Sequence, residues 1–304
     1  MTPVVDRFAP SPTSDLHLGN LRTALAGWLL TRAAGGSWRL RIEDLDVARV
    51  RAADGAAERH MADLAALGLH HDGAVVWQSE RLEAYRDAVG SLADRTYPCF
   101  CTRREIAEAA SAPHGDGYRP YPGTCARLST AQAERLRQTR SPAIRVRSEG
   151  AVFTVPDLHA GQVTGVVDDV VLVRGDGTFA YNLAVVVDDM ASGITQVTRG
   201  DDLLSSAPRQ AWLTQHLGGT PPRYAHVGLV TNAAGQRLAK RDGAVTLAEL
   251  RAAGWTTADV LAELSASLGL ARHRRVTDAL AEFSQGVPEQ FWQVVSWDGS
   301  GLAR

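Results

Sequence analysis

Lysine is almost missing from this chain: the 32 basic residues are 31 arginines and Lys240. Cysteine is nearly as scarce, and Cys99, Cys101 and Cys125 all fall within one stretch of 27 residues. An odd, clustered set of thiols argues against a disulfide framework and for metal binding or reactivity. No apolar run approaches the ~20 residues of a membrane span, so no membrane partner is expected. The opening Met1-Thr2-Pro3-Val4-Val5-Asp6-Arg7 lacks the apolar core of a secretory signal, and a cytoplasmic location is expected. Low-complexity tracts and internal repeats are absent, which excludes disorder and solenoids. The net charge of -2 excludes a global basic field. What remains is ordinary globular composition, long enough at 304 residues for a large core or two to three domains.

The pattern opens with a short apolar strand, Val4 to Phe8, broken by Ala9-Pro10-Ser11-Pro12-Thr13. Leu21, Leu25, Trp28 and Leu29 then recur at helical spacing, and Arg39-Leu40-Arg41-Ile42 reads as a second strand ending at Glu43. Strand, loop, helix, strand begins a parallel α/β domain, in which ligands collect at the carboxyl ends of the strands. Helices are expected over about 52–67 and through Leu92, with a short strand at Val75–Trp77 between them. Further strands are expected at 166–174, at 179–187 ending in Asp188-Asp189, and at 194–197 leading into Arg199. Between Arg95 and Arg147 stand ten arginines against four acids, a formal +6, together with every cysteine. This stretch reads as an inserted module with a basic face. Helical sequence follows to Leu270, and Ser284–Arg304 shows no interpretable periodicity.

Three constellations carry chemistry. The first is His17-Leu18-Gly19-Asn20 at a helix start, where backbone N–H groups suit phosphate and a capping turn is an equal reading. The second is Glu43 with Arg199, opposite charges at strand ends that suit a zwitterionic amino acid, with Arg7 as a further cation. An internal ion pair is the competing reading. The third is Lys240, whose compact ammonium follows a moving phosphate as a planar guanidinium cannot. Three soft ligands, Cys99, Cys101 and Cys125, leave tetrahedral zinc one short, and spacing alone nominates His114.

Taken together, these segments resemble the class I aminoacyl-tRNA synthetases. Arg7-Phe8-Ala9-Pro10-Ser11-Pro12-Thr13 with Leu16-His17-Leu18-Gly19-Asn20 is similar to the glutamyl version of the first ATP signature. Arg41 to Asp46, Gln78 to Arg81, Arg199 to Asp202 and Leu238-Ala239-Lys240-Arg241 resemble further glutamyl blocks, over roughly residues 4 to 250. Only 63 residues follow Arg241, so the chain is expected to lack an anticodon-binding domain. It resembles the truncated branch of this family, the glutamyl-queuosine tRNA(Asp) synthetases, also in Phe179 to Asp189 and in the Cys99-x-Cys101…Tyr121-x-x-x-Cys125 cluster. Ser14 stands where that branch has glycine, and Ala239 where it has serine.

The resemblance implies a Rossmann-type parallel sheet (1–94 and 165–225), interrupted by a zinc-containing insert (95–164) and followed by a signature loop and helical C-terminal region (226–304). It implies activation of L-glutamate by ATP with Mg²⁺, without tRNA, and transfer to the queuosine base of the tRNA(Asp) anticodon by a monomer. Charging of a tRNA 3′ end and a catalytically silent tRNA-binding paralogue are the alternatives. Implied site residues are His17, Asn20 and Lys240 for catalysis, with Gly19 and Leu238 beside them for ATP. Arg7, Ala9, Ser11, Glu43, Tyr181 and Arg199 are implied for glutamate, and Tyr121 as the fourth ligand of one structural Zn²⁺.

Overall fold

The computed structural model describes residues 3–102, 104–106, 120–232, 235, 238 and 245–303. The expected first unit forms. Strand β1 (Val5–Phe8) leads through the Ala9–Leu16 loop into helix α1 (Leu18–Ala33), and β2 (Ser37–Ile42) returns parallel to β1 with Val5 opposite Ser37. Leu18, Leu21, Leu25 and Leu29, three and four apart, are all buried and hold α1 on the sheet. Strand β3 (Val76–Trp77) extends the sheet in parallel, after α2 (Val47–Arg51) and α3 (Ala56–Ala66), and α4 (Leu82–Ser91) follows.

Next come β4 (Thr96–Cys99), α5 (Thr130–Arg137), β5 (Ala143–Val146), β6 (Val152–Asp157), β7 (Gly161–Val166) and β8 (Val171–Val173). Strand pairing does not follow the expected 164/165 boundary. β4, β5 and β8 form a separate antiparallel sheet, whereas β6 and β7 join the central one.

The expected strand at 179–187 is a helix, α6 (Tyr181–Ala191). Val185-Val186-Val187 has strand propensity, but a short apolar run is ambiguous in sequence, and burying Leu183, Ala184, Val185 and Val186 against the core decides it. Asp188 and Asp189 therefore sit near the end of a helix instead of a strand. Strands β9 (Gln196–Gly200) and β10 (Arg223–Val227) are parallel, with α7 (Ala207–His216) between them, and β6 runs parallel to β10 on its other edge.

The β1–β2–β3 sheet and the β7–β6–β10–β9 sheet meet along β1 and β9, and a buried carboxylate bridges them. Asp6 accepts from the backbone N of Arg7 (2.7 Å) and Thr198 (3.1 Å), from Gln196 Nε2 (3.0 Å) and from Thr198 Oγ1. Thr195 N also donates to Val5 O at 2.9 Å.

Beyond β11 (Val230–Asn232) lie α8 (Leu247–Ala252), α9 (Thr257–Ser267) and α10 (Val276–Phe283), as the helical patterning suggests. The unpatterned C-terminal stretch packs as well: β12 (Val295–Trp297) pairs parallel with β11, and β13 (Leu302–Ala303) pairs with β12. Arg22 of α1, fully buried, anchors it by donating to the carbonyls of Gly228, Ser267 and Gln293. No helix among the described residues is long and apolar enough to cross a membrane.

Candidate active site

A cavity of about 430 Å³ opens at the carboxyl ends of β1, β2 and β9. Its wall brings together Arg7, Ala9, Ser11, His17, Gly19, Asn20, Glu43, Tyr181 and Arg199, from segments nearly two hundred residues apart. Chain topology explains the convergence: β1 ends at Phe8, β2 at Ile42 and β9 at Gly200, so the residue at or just after each end faces one crevice.

One end of the cavity is built from buried charges. Arg7 donates from Nε to Asp189 (3.1 Å), and its two Nη groups have no hydrogen-bond partner among the described residues. Arg41 donates from Nη1 to the same Asp189 (2.5 Å) and from Nη2 to Glu43 (3.2 Å). Burial by itself would raise the Asp189 carboxyl, but the Arg7 and Arg41 guanidiniums outweigh it and hold the group below the usual aspartate range. For Glu43 burial wins over Arg41 and Arg7, and its carboxyl lies above the usual range. Neighbouring Asp188 accepts from Gln78 (2.9 Å), Tyr85 (2.8 Å) and Arg81 (2.5 Å), and its Oδ2 lies 3.9 Å from Arg41 Nε.

Arg199 is placed differently from the free fork that its strand-end position suggests. Its Nε donates to His226 Nε2 (3.0 Å), Nη1 to Gln210 (2.6 Å), and Nη2 to Leu203 O (3.0 Å) and Ser206 Oγ (3.1 Å). Four of its five N–H groups are spent inside the protein, and none goes to a carboxylate. Arg199 is thus a buried cation with neutral hydrogen-bond partners, facing the cavity.

At the start of α1 the capping turn, one of the two readings of this segment, is the one that forms: the first N–H groups of the helix all have acceptors. Gly19 N and Asn20 N donate to His17 Nδ1 (3.1 and 3.4 Å), Leu18 N to Val245 O (3.0 Å), and Leu21 N to His17 O (3.1 Å). Asn20 Oδ1 completes a capping box by accepting from His17 N (3.1 Å). The histidine caps its own helix, and Gly19 permits this, because a Cβ there would stand 3.0 Å from the imidazole. With Nδ1 accepting, the ring proton sits on Nε2, and the His17 imidazole and the Asn20 side chain both line the cavity.

Leu238 is likewise not in the cavity. Its side chain is buried in the core and its N–H donates to Val230 O at 3.1 Å. Lys240, with Ala239 and Arg241, lies outside the described residues. Ser14 fits without strain: among described non-glycine residues only Glu149 has positive φ.

In the insert, the sulfurs of Cys99, Cys101 and Cys125 lie within 4.8 Å of one another. Tyr121 Oη stands 3.4 Å from the Cys99 sulfur and 3.8 Å from that of Cys101, and Cys125 N donates to it at 2.7 Å. The Arg145 guanidinium lies 3.8 Å from the centre of the Tyr121 ring. Tetrahedral zinc with metal–sulfur bonds of about 2.3 Å places its sulfurs about 3.8 Å apart, so this donor set fits the ion in kind and in spacing. His114, the other candidate, lies outside the described residues.

Sequence reasoning missed Asp189, His226, Asp157 and Gln210. Asp189 was visible, but reading its segment as a strand hid its reach. The others have no local signal, because their role appears only when β6, β9, β10 and α7 come together.

Residues 3–274 match the family model described as tRNA synthetases class I (E and Q), catalytic domain. The chain is 58% identical over 264 residues to the glutamyl-Q tRNA(Asp) synthetase of Cutibacterium acnes, covering 87% of this chain and 76% of that protein. It is 56% identical over 290 residues to the protein of the same name from Nocardia farcinica, covering 94% and 91%. Among solved structures, a glutamate tRNA ligase from Elizabethkingia meningosepticum superposes with a TM-score of 0.75 at 24% identity. That match covers 99% of this chain and 66% of the ligase, just under two thirds of its length. The chain is a class I aminoacyl-tRNA synthetase of the E and Q type in its catalytic domain. Within that class it belongs to the glutamyl-Q tRNA(Asp) synthetase family.

Proposed function

We propose that the protein activates L-glutamate with ATP, without tRNA, and transfers it to the queuosine base of the tRNA(Asp) anticodon. The observation that carries the amino-acid assignment is the open fork of Arg7: its two Nη groups have no hydrogen-bond partner among the described residues, and Arg7 lines the same cavity as Glu43, a cation and an acid for the two ends of an acidic amino acid. Glutamate offers that fork a side-chain carboxylate, whereas glutamine offers a neutral amide and leaves the guanidinium without a counter-charge. The Arg7 fork takes the side-chain carboxylate, Glu43 the ammonium, and the remaining Arg199 N–H adds a further contact. Aspartate has the right charge but is one methylene short of spanning these groups.

The α-carboxylate then attacks the α-phosphorus of ATP in line: an O–P bond forms, the bond to the β-phosphate breaks, and pyrophosphate leaves. No general base is needed, since the carboxylate is ionised at neutral pH. His17 Nε2–H, the Asn20 amide and Lys240 meet the charge that builds on the phosphates. Magnesium arrives with the nucleotide, bound mainly by its phosphates.

Zinc held by Cys99, Cys101, Cys125 and Tyr121 cross-links the insert and takes no part in the reaction. The basic face of that insert is narrower than its composition implies. Arg145 and Arg147 stack on Tyr121 and Tyr97, and Arg137 and Arg140 pair with Glu134 and Glu105, while Arg95, Arg127 and Arg135 stay exposed for contact with RNA phosphates. Assignment of the acceptor to queuosine in tRNA(Asp) rests on the names of the relatives. ATP–pyrophosphate exchange tests the activation step: exchange with glutamate in the absence of tRNA is expected, and equal exchange with glutamine contradicts the assignment of the Arg7 fork to the side-chain carboxylate.

A further inference from the structure

Arg199 is held by a chain of buried groups that reaches across three strands. Its Nε donates to His226 Nε2 at 3.0 Å, and the other ring nitrogen, Nδ1, lies 2.7 Å from Asp157 Oδ2. Asp157 is itself fixed, accepting from the backbone N of His159, Ala160 and His226 (2.8, 2.8 and 3.2 Å). All three side chains are buried. Because arginine only donates, Nε2 of His226 must carry its lone pair and Nδ1 its proton, which is the tautomer that Asp157 selects. The imidazole is therefore neutral and has a defined orientation.

We propose that Asp157 and His226 are positioning residues for amino-acid binding. They aim the Arg199 guanidinium so that its one unspent N–H faces the carboxylate of the substrate, and glutamate affinity depends on His226 staying neutral. Protonating Nε2 sets two donors and two positive charges against each other at 3.0 Å in a buried place, and Arg199 must move. The charged groups facing His226 are Asp157 on β6, Arg199 on β9 and Asp201 in the turn after β9, with the Tyr224 ring stacked beside it. Burial foremost, and Arg199 after it, keep His226 below the usual histidine value of 6.5 despite the two carboxylates. The neutral chain is thus intact at neutral pH and fails on the acid side.

This inference rests on the glutamate reading above, and the test separates the two. KM for glutamate and for ATP is measured by pyrophosphate exchange in wild type, His226→Leu and His226→Gln between about pH 5.5 and 8. An amide carries an acceptor and a donor about as far apart as the ring nitrogens, so His226→Gln rebuilds the chain without a titrating group. The Leu variant is expected to raise KM for glutamate about tenfold or more while moving KM for ATP less than about twofold. The Gln variant is expected to return glutamate KM to near wild type and to lose part of the acid-side rise. Glu43 titrates equally in all three proteins, so the difference between the wild-type and Gln profiles isolates His226. A wild-type glutamate KM in the Leu variant, or a wild-type acid rise in the Gln variant, overturns the positioning role and leaves the glutamate reading intact. Absence of glutamate-dependent exchange in the wild type overturns that reading and this inference with it. Should the Leu variant fail to fold, as judged by thermal melting, the Gln profile decides alone.

Discussion

Asp189 takes the Nε of Arg7, at 3.1 Å, and in doing so leaves the two Nη groups of that arginine at the cavity. Arg7 keeps its fork for a ligand, whereas Arg199 has spent four of its five N–H groups. The two arginines are therefore not interchangeable, although the sequence offers them as equals.

Arg7→Lys should lower kcat/KM for glutamate about 10- to 100-fold, because one charge-assisted pair of hydrogen bonds is lost while the charge remains. KM for ATP should barely change. Pyrophosphate-exchange kinetics with each substrate varied in turn check this, and an unchanged glutamate term would remove Arg7 from the side-chain site.

Asp189→Asn should destabilise the fold by about 3–5 kcal/mol, since the buried Arg7 and Arg41 lose the one carboxylate to which both donate. The sign with pH follows from the lowered carboxyl. The contribution is complete above the ordinary aspartate value of 3.8 and disappears as pH falls through the lower folded value. Urea denaturation of both proteins should show the gap at pH 7 narrowing in strong acid; a constant gap contradicts the ion-pair assignment.

Lys240→Arg conserves charge, so a surface role predicts almost no effect. Following the phosphate predicts a loss of ~10²–10³ in the rate of adenylate formation, with glutamate binding and metal content nearly intact. Single-turnover measurement of adenylate formation decides between them.

Elemental analysis of gently purified protein should find about one zinc per chain, since the donor set closes one tetrahedral site. Tyr121→Phe should lose the metal more readily than His114→Ala under a chelator. The reverse order would move the fourth ligand to His114.

Much of this was legible in the sequence, and the rest failed for identifiable reasons. The β1–α1–β2 unit announced itself through leucines at helical spacing and acids at a strand end, and Arg7, Glu43 and Arg199 do reach one cavity. Asp188 and Asp189 were misplaced because Val185-Val186-Val187 has strand propensity and only burial makes it helical. At the start of α1 the sequence left phosphate-binding amides and a capping turn as equal readings, and only the placement of the His17 ring against Gly19 N and Asn20 N decides for the cap. The Asp157–His226–Arg199 chain had no signal at all, since its members are 27 and 69 residues apart and meet only through strand register.

The central claim is tested most directly by locating the nucleotide that receives glutamate. The protein is incubated with ATP, radiolabelled glutamate and tRNA(Asp) that either carries or lacks queuosine, and the product is digested and mapped. Label on the anticodon base, only in the queuosine-bearing tRNA and undiminished when the 3′-terminal adenosine has first been removed, is the predicted result. Label on the 3′-terminal ribose, abolished by that removal and indifferent to queuosine, would contradict it.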